Sequence, residues 1–106
     1  MPRVDAEFKE RVYSLVAQIP KGRVMTYGQI AAICGAAWAA WEVGQIAHTG
    51  PEGLPWQRVV NKQGALAAGW PGGGKVMHAA RLEAEGVVVN EDFTIDISKL
   101  LWSPQQ

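Results

Sequence analysis

The stretch from Ile19 to Gly35 is punctuated so closely that few folds can accommodate it. Ile19-Pro20-Lys21-Gly22 stops any helix before it, because proline cannot continue a helix and glycine relaxes the turn. Thr26-x-x-Gln29 then has the spacing of a capping box, in which each side chain satisfies the other residue's free backbone N–H. Ile30, Ala31 and Ile33 give the new helix an apolar face, and Gly35 ends it. Upstream, Phe8, Val12, Leu15, Val16 and Ile19 recur at helical spacing, so residues 5–18 read as an amphipathic helix. Arg23-Val24-Met25 reads as an extended connector. A third helix is expected from about Ala37 to Ala47, with Ala40, Val43, Gly44 and Ala47 on one side. Two short helices joined through Gly35 make a helix-turn-helix over about residues 26–48. Either its second helix enters a DNA groove, or the pair is an ordinary core packing unit.

The rest of the chain is shorter in period. Thr49-Gly50-Pro51-Glu52-Gly53 is a loop. Val59-Val60 and Ala65-Leu66 flank Asn61-Lys62-Gln63-Gly64, the chemistry of a tight hairpin turn. A glycine-rich loop spans residues 69–74, and a fourth helix, Lys75 to Glu85, is closed by Gly86. Val87-Val88-Val89 and Phe93-Thr94-Ile95-Asp96-Ile97 read as closing strands. At 106 residues the expectation is one domain over residues 1–106, of small α/β class, mainly α, with winged-helix character.

Charge and composition narrow the function. The formal net charge is zero, which by itself argues against a polyanion partner. The distribution argues the other way. Residues 11–81 hold seven Lys or Arg against Glu42 and Glu52, whereas residues 82–106 hold Lys99 against five carboxylates. A basic middle between acidic ends suits a chain that turns one face to nucleic acid; chance clustering on a solvated surface is the other reading. The first residues carry no apolar leader, and no apolar run approaches the roughly 20 residues of a membrane span. The expected place is the cytoplasm, nucleoid-associated in a prokaryote, and the expected state a monomer. Cys34 is the single cysteine, so internal disulfides and cysteine-pair metal sites are excluded. It sits at a helix end among apolar residues, as an inert thiol does. His48 and His78 have no carboxylate or second ligand at metal spacing, and no metal or cofactor is expected. The glycine-rich loop lacks the Lys-Ser or Lys-Thr ending of a phosphate cradle. It suits close approach to something flat, or simply a surface loop. Trp38, Trp41, Trp56, Trp70 and Trp102 are many indoles for a short chain, several in segments expected to be exposed; flat aromatic faces are what unstacked bases bind, and core packing is the other reading, expected for Trp102 beside an apolar C-terminal stretch.

The order of motifs then becomes informative. Ile19-Pro20-Lys21-Gly22-Arg23-Val24-Met25-Thr26-Tyr27-Gly28-Gln29-Ile30-Ala31, Val43-Gly44, Pro55-Trp56-Gln57-Arg58-Val59-Val60-Asn61 and Leu82-Glu83-Ala84-Glu85-Gly86-Val87 resemble the C-terminal domain of O6-alkylguanine-DNA alkyltransferases. The likeness runs from about residue 6 to 90, and the separate N-terminal domain of those enzymes is expected to be missing. The enzymes carry Pro-Cys-His-Arg-Val, whose cysteine accepts the alkyl group. Trp56 stands at the cysteine position and Gln57 at that of the proton-relaying histidine, a pattern similar to the alkyltransferase-like subfamily. An indole nitrogen has its lone pair delocalised and does not attack carbon as a thiolate does, and a glutamine does not titrate.

The resemblance therefore implies a non-enzymatic protein that binds duplex DNA containing alkylated guanine, flips the base without transferring the alkyl group, and flags the lesion for nucleotide excision repair proteins. It implies a DNA-binding and flipping set of Thr26, Tyr27, Trp41, Gly44 and Gln45. It implies a lesion pocket from the 55–61 motif (Pro55, Trp56, Gln57, Arg58, Val59) and the 69–74 loop (Trp70, Pro71, Gly72, Gly73). Glu85 keeps the relay glutamate's position as a structural hydrogen-bond acceptor, and Arg58 either pairs ionically or touches DNA. Trp41 takes the place of the family's inserted arginine, either as an indole wedge between base steps or packed in the core. Two rivals remain: a residual alkyltransferase using Cys34, and a winged-helix interaction module that no longer flips bases.

Overall fold

The computed structural model describes residues 5–104; residues 1–4, to which the expectation about an apolar leader applies, and 105–106 lie outside the described residues. Helix α1 (Ala6–Gln18) starts where Asp5 accepts a hydrogen bond from the Phe8 amide and buries Phe8, Val12, Leu15 and Val16. The chain leaves it at Ile19 and turns through Gly22, whose φ of 83° is the left-handed geometry that only glycine adopts cheaply.

The connector expected next is in fact a strand. β1 (Met25–Thr26) pairs in parallel with β2 (Val59–Val60), in the register Met25 to Val59 and Thr26 to Val60. Val24 extends the pairing to the C-terminal segment: its amide donates to the Leu100 carbonyl (3.0 Å), and its carbonyl accepts from the Trp102 amide (2.8 Å). The physical reason is burial. Val24, Met25, Val59 and Val60 are all almost fully enclosed, so their backbone groups must find partners. Side chains alternate across this seam. Met25 and Val59 join the core formed with α1, and Val24 and Val60 join a second cluster with Leu66, Leu82, Val87 and Ile95.

Helix α2 (Tyr27–Ile33) begins on the expected capping box, with Thr26 Oγ1 accepting from the Gln29 amide (3.1 Å) and Gln29 Oε1 from the Thr26 amide (3.2 Å). Gly35, at φ 98°, turns the chain after it. Helix α3 (Ala40–Thr49) starts later than the alanine-rich sequence suggests. Ala36 and Ala39 are buried and hydrogen-bonded in a turn (2.8 Å), and no side chain caps Ala39, so packing rather than a local signal sets the start. α2 and α3 pack on each other more extensively than any other two elements.

The segment after α3 departs furthest from expectation. Trp56–Arg58 form a 3-10 turn leading into β2. The Asn61–Gly64 turn exists, with Asn61 Oδ1 accepting from the Gln63 and Ala65 amides, but it does not close a hairpin. β2 pairs with β1, while Ala65 bridges Thr94 in antiparallel fashion. Helix α4 (Gly74–Glu83) is followed by Gly86 at φ 88°. Residues 87–89 form no strand, and 93–97 are not one continuous strand. Phe93 sits at φ 60°, outside the β region, and Ile97–Leu100 coil into a short helix, α5, capped by Asp96. The mainly helical small α/β domain stands, with a two-stranded parallel sheet at its centre. Among the described residues, no helix is long and apolar enough to cross a membrane.

Candidate nucleic-acid interface

A cavity of about 380 Å³ opens between α3, the loop before the 3-10 turn and the middle of α4. Gly44, Ala47 and His48 line it from α3, Tyr27 from the first turn of α2, and His78 and Arg81 from α4. Trp56, Gln57 and Val59 come from the expected pocket motif, and Trp70 and Pro71 from the glycine-rich loop. The volume falls in the range of about 300–1,000 Å³ typical of small-ligand pockets.

Trp56 is only 9% exposed, and its face is held rather than free to swing. Its Nε1–H donates to the Pro51 carbonyl (3.0 Å), and Tyr13 packs edge-on against it, ring centres 6.1 Å apart. Gly50 makes this possible: a Cβ there would lie 2.4 Å from Trp56 Cζ2. Pro55 precedes the 3-10 turn at φ −80° and presets the geometry of Trp56 without lining the cavity.

Behind Trp56, Glu85 gathers three elements. It accepts from the Gly22 amide (2.8 Å), from Gln57 Nε2 (2.8 Å) and from Arg58, whose Nη2 lies 2.9 Å away. Arg58 Nη1 also donates to the Ile19 carbonyl (2.8 Å). Burial pushes the Glu85 carboxyl up, but the Arg58 guanidinium and the Gly22 and Gln57 donors outweigh it and hold the group below the ordinary carboxylate range. Arg58 thus points away from the cavity, and of the two readings of this residue the geometry favours the ion pair.

His78 is fully buried in the cavity wall, its Nδ1 accepting from the Ala67 amide (3.0 Å) and its Nε2 facing the Gln57 carbonyl (2.9 Å). Trp70 stacks on it, ring centres 4.5 Å apart and planes 21° from parallel. The Tyr27 hydroxyl is raised above its usual pKa by burial, so the ring presents a neutral O–H. Thr26 is occupied by capping and acts on the site by fixing where Tyr27 emerges.

The remaining expected residues lie beside the cavity. Trp41 is 71% exposed on α3, so it is not packed in the core. One helical turn separates it from Gly44 and exposed Gln45, and a further turn from His48, so these residues share a face. Gly72 and Gly73 form the exposed far end of the loop; Gly72 has φ 84°, and the Gly74 amide closes the turn onto the Trp70 carbonyl (2.8 Å). Cys34 lies outside the cavity at the end of α2, its thiol pKa raised by burial and only partly lowered by Arg11. Among the described residues, no group of three or more His, Cys, Asp or Glu is placed to hold a metal. Sequence reasoning did not place Arg81, His78 or the 50–54 loop in the site. The helical spacing of His78 and Arg81 was visible, but their direction depends on how α4 docks.

The class defined by this architecture is a small helix-turn-helix domain with a cavity recessed behind its second helix. The chain belongs to the family of the 6-O-methylguanine DNA methyltransferase DNA-binding domain, which matches residues 7–87. It is 41% identical over 98 residues to the DNA base-flipping protein of Escherichia coli, covering 91% of this chain and 74% of that protein. It is 36% identical over 104 residues to Alkyltransferase-like protein 1 of Schizosaccharomyces pombe, covering 92% and 96% of the two. Its fold superimposes on the crystal structure of S. pombe Atl1 in complex with damaged DNA containing O6-carboxymethylguanine with a TM-score of 0.85 and 34% identity, covering 96% of this chain and all of that one. The O6-methylguanine methyltransferase of Mycobacterium tuberculosis in complex with DNA gives a TM-score of 0.69 at 34% identity, over 77% of this chain and 50% of that one.

Proposed function

We propose that this protein binds O6-alkylguanine in duplex DNA, turns the damaged base into the cavity, and holds it without removing the alkyl group. The observation that carries this reading is the cavity itself, which is of ligand size and walled by a fixed indole at Trp56, the position at which the motif resemblance puts the enzymes' acceptor cysteine. The pocket supplies surface for a flat base and no sulfur to take its alkyl group. Its glutamine–glutamate contact (Gln57 to Glu85) moves no proton, because the amide does not titrate. The names of the E. coli and S. pombe relatives and the lesion in the S. pombe complex support the same reading.

Roles follow from position. The exposed α3 face, with Trp41, Gly44 and Gln45, enters the groove, and Trp41 wedges into the step vacated by the flipped base. Tyr27, seated on its Thr26 cap, guides the backbone of the rotated nucleotide. Backbone groups of the Pro55–Val59 motif read the edge of the base, Trp56 lies beside the alkyl group, and the Trp70–Gly73 loop closes over it. Arg58 and Glu85 hold the motif in place. The protein acts as a monomer, and the persistent complex marks the lesion for nucleotide excision repair proteins.

A crystal with a methylated oligonucleotide tests the reading directly. The modified purine is expected in the cavity; a purine still stacked in its helix overturns it. Intact-mass analysis after incubation with O6-methylguanine DNA is expected to show an unchanged chain, and a methyl added to Cys34 would revive the transferase alternative.

A further inference from the structure

Among the described cavity side chains, His78 alone hydrogen-bonds both to the expected pocket motif and to the Ala67–Trp70 segment, and none of the roles proposed above accounts for its burial. A backbone N–H can only donate, so Nδ1, which meets the Ala67 amide at 3.0 Å, must carry the lone pair. Nε2 then holds the proton and donates to the Gln57 carbonyl at 2.9 Å. The ring's face is covered by Trp70. One imidazole in one tautomer thus links the 3-10 turn bearing Trp56 to the loop bearing Trp70.

We propose that His78 is the positioning residue of the cavity, spacing the Trp56–Arg58 turn from the Ala67–Trp70 loop so that a flipped purine fits between them. The inference rests on the lesion-binding reading above. It has a consequence specific to imidazole. A proton added at Nδ1 would face the Ala67 N–H, donor against donor, and release the loop. Burial already opposes that proton, with the Gln57 carbonyl partly favouring it, and the net direction is down from the ordinary histidine range. The charged and titratable groups around the same cavity are Tyr27, His48, Glu52 and Arg81; Arg81, on His78's own helix, adds a second cation to any imidazolium. Lys75 is on that helix too, and Glu85 reaches the ring only through Gln57, its charge already matched by Arg58.

The test has two arms. In DNA-free protein, nitrogen NMR of labelled histidine is expected to show the neutral Nε2–H form at neutral pH, with the Ala67 amide shifting as His78 titrates. An Nδ1–H tautomer, an imidazolium at neutral pH or an unresponsive Ala67 amide would overturn the proposal. In the second arm, duplexes with and without O6-methylguanine are titrated at one salt concentration, near pH 7.5 and near pH 5.5. Lesion affinity is expected to fall only about two- to threefold at the lower pH, because an imidazole held below the ordinary histidine range is only partly protonated there, with unmodified duplex much less affected, because phosphate contacts carry the background. His78→Gln carries one donor and one acceptor on a terminal amide, not at the positions of the two ring nitrogens, and it does not titrate; it is expected to lose lesion preference severalfold and to show no pH step. A lesion preference and pH step unchanged in His78→Gln would also overturn the proposal. Equal affinity for both duplexes at every pH would instead sink the lesion-binding reading, leaving the NMR arm to judge His78.

Discussion

Trp56 shows how much of a cavity wall one side chain can form and how little of its placement a residue type reveals. The motif order implies that it stands at the position of the family's acceptor cysteine. Its restraint by the Pro51 carbonyl and by the close approach of Gly50 was not readable there, because both partners lie in a loop whose path depends on tertiary contacts. Gly50→Ala places a methyl against the indole and against the Ile46 carbonyl, 2.8 Å away. We expect a loss of roughly 1–3 kcal/mol in denaturant unfolding, as for overpacked cores, together with a changed tryptophan emission. Trp41 is the opposite case, an indole left 71% in water with no core role. Trp41→Arg adds a positive charge on the face assigned to DNA and is expected to raise duplex affinity severalfold at moderate salt, measured by anisotropy. A fall in affinity would mean that the indole wedge is a specific device.

At the scale of elements, the longer helices were legible, whereas the short α5 and the pairing of the strands were not. Periodicity and the Thr26–Gln29 box located α1 and α2 because those signals are local. β1 and β2 are two residues each and are strands only because they meet each other and the C-terminal segment across the fold, information absent from either window. The same limit explains the expected hairpin: Asn61–Gly64 turns, but β2 already has its partner in β1. Thr26→Ala removes one acceptor from the cap and is expected to cost about 1 kcal/mol of stability. The Arg58–Glu85 pair joins the end of α1, the 3-10 turn and the segment after α4. Arg58→Met would leave a carboxylate only 7% exposed without its cation, and we expect a loss of about 3–5 kcal/mol. Because Glu85 titrates below the ordinary carboxylate range, its stabilisation is complete above the unfolded value, near ~4.3, and disappears as pH falls through the lower folded value. Unfolding free energy measured from neutral to acid pH should therefore drop in that window, less steeply in Arg58→Met.

The whole molecule joins a neutral total charge to an uneven distribution, with acidic residues concentrated after residue 81 and cations before it. That unevenness and the order of four motifs made the binding role readable before any coordinates. The cavity's depth, and the part of His78 and Arg81 in it, emerged only when α3, the 50–54 loop and α4 were assembled. On the proposed function, the assembled cavity discriminates a damaged purine from a normal one. Equilibrium titration of the protein with an O6-methylguanine duplex and with the same duplex unmodified, at one stated salt concentration, tests it most directly. We expect binding at least ~10-fold tighter to the damaged duplex, a difference of about 1.4 kcal/mol. Equal affinities for the two duplexes would contradict it.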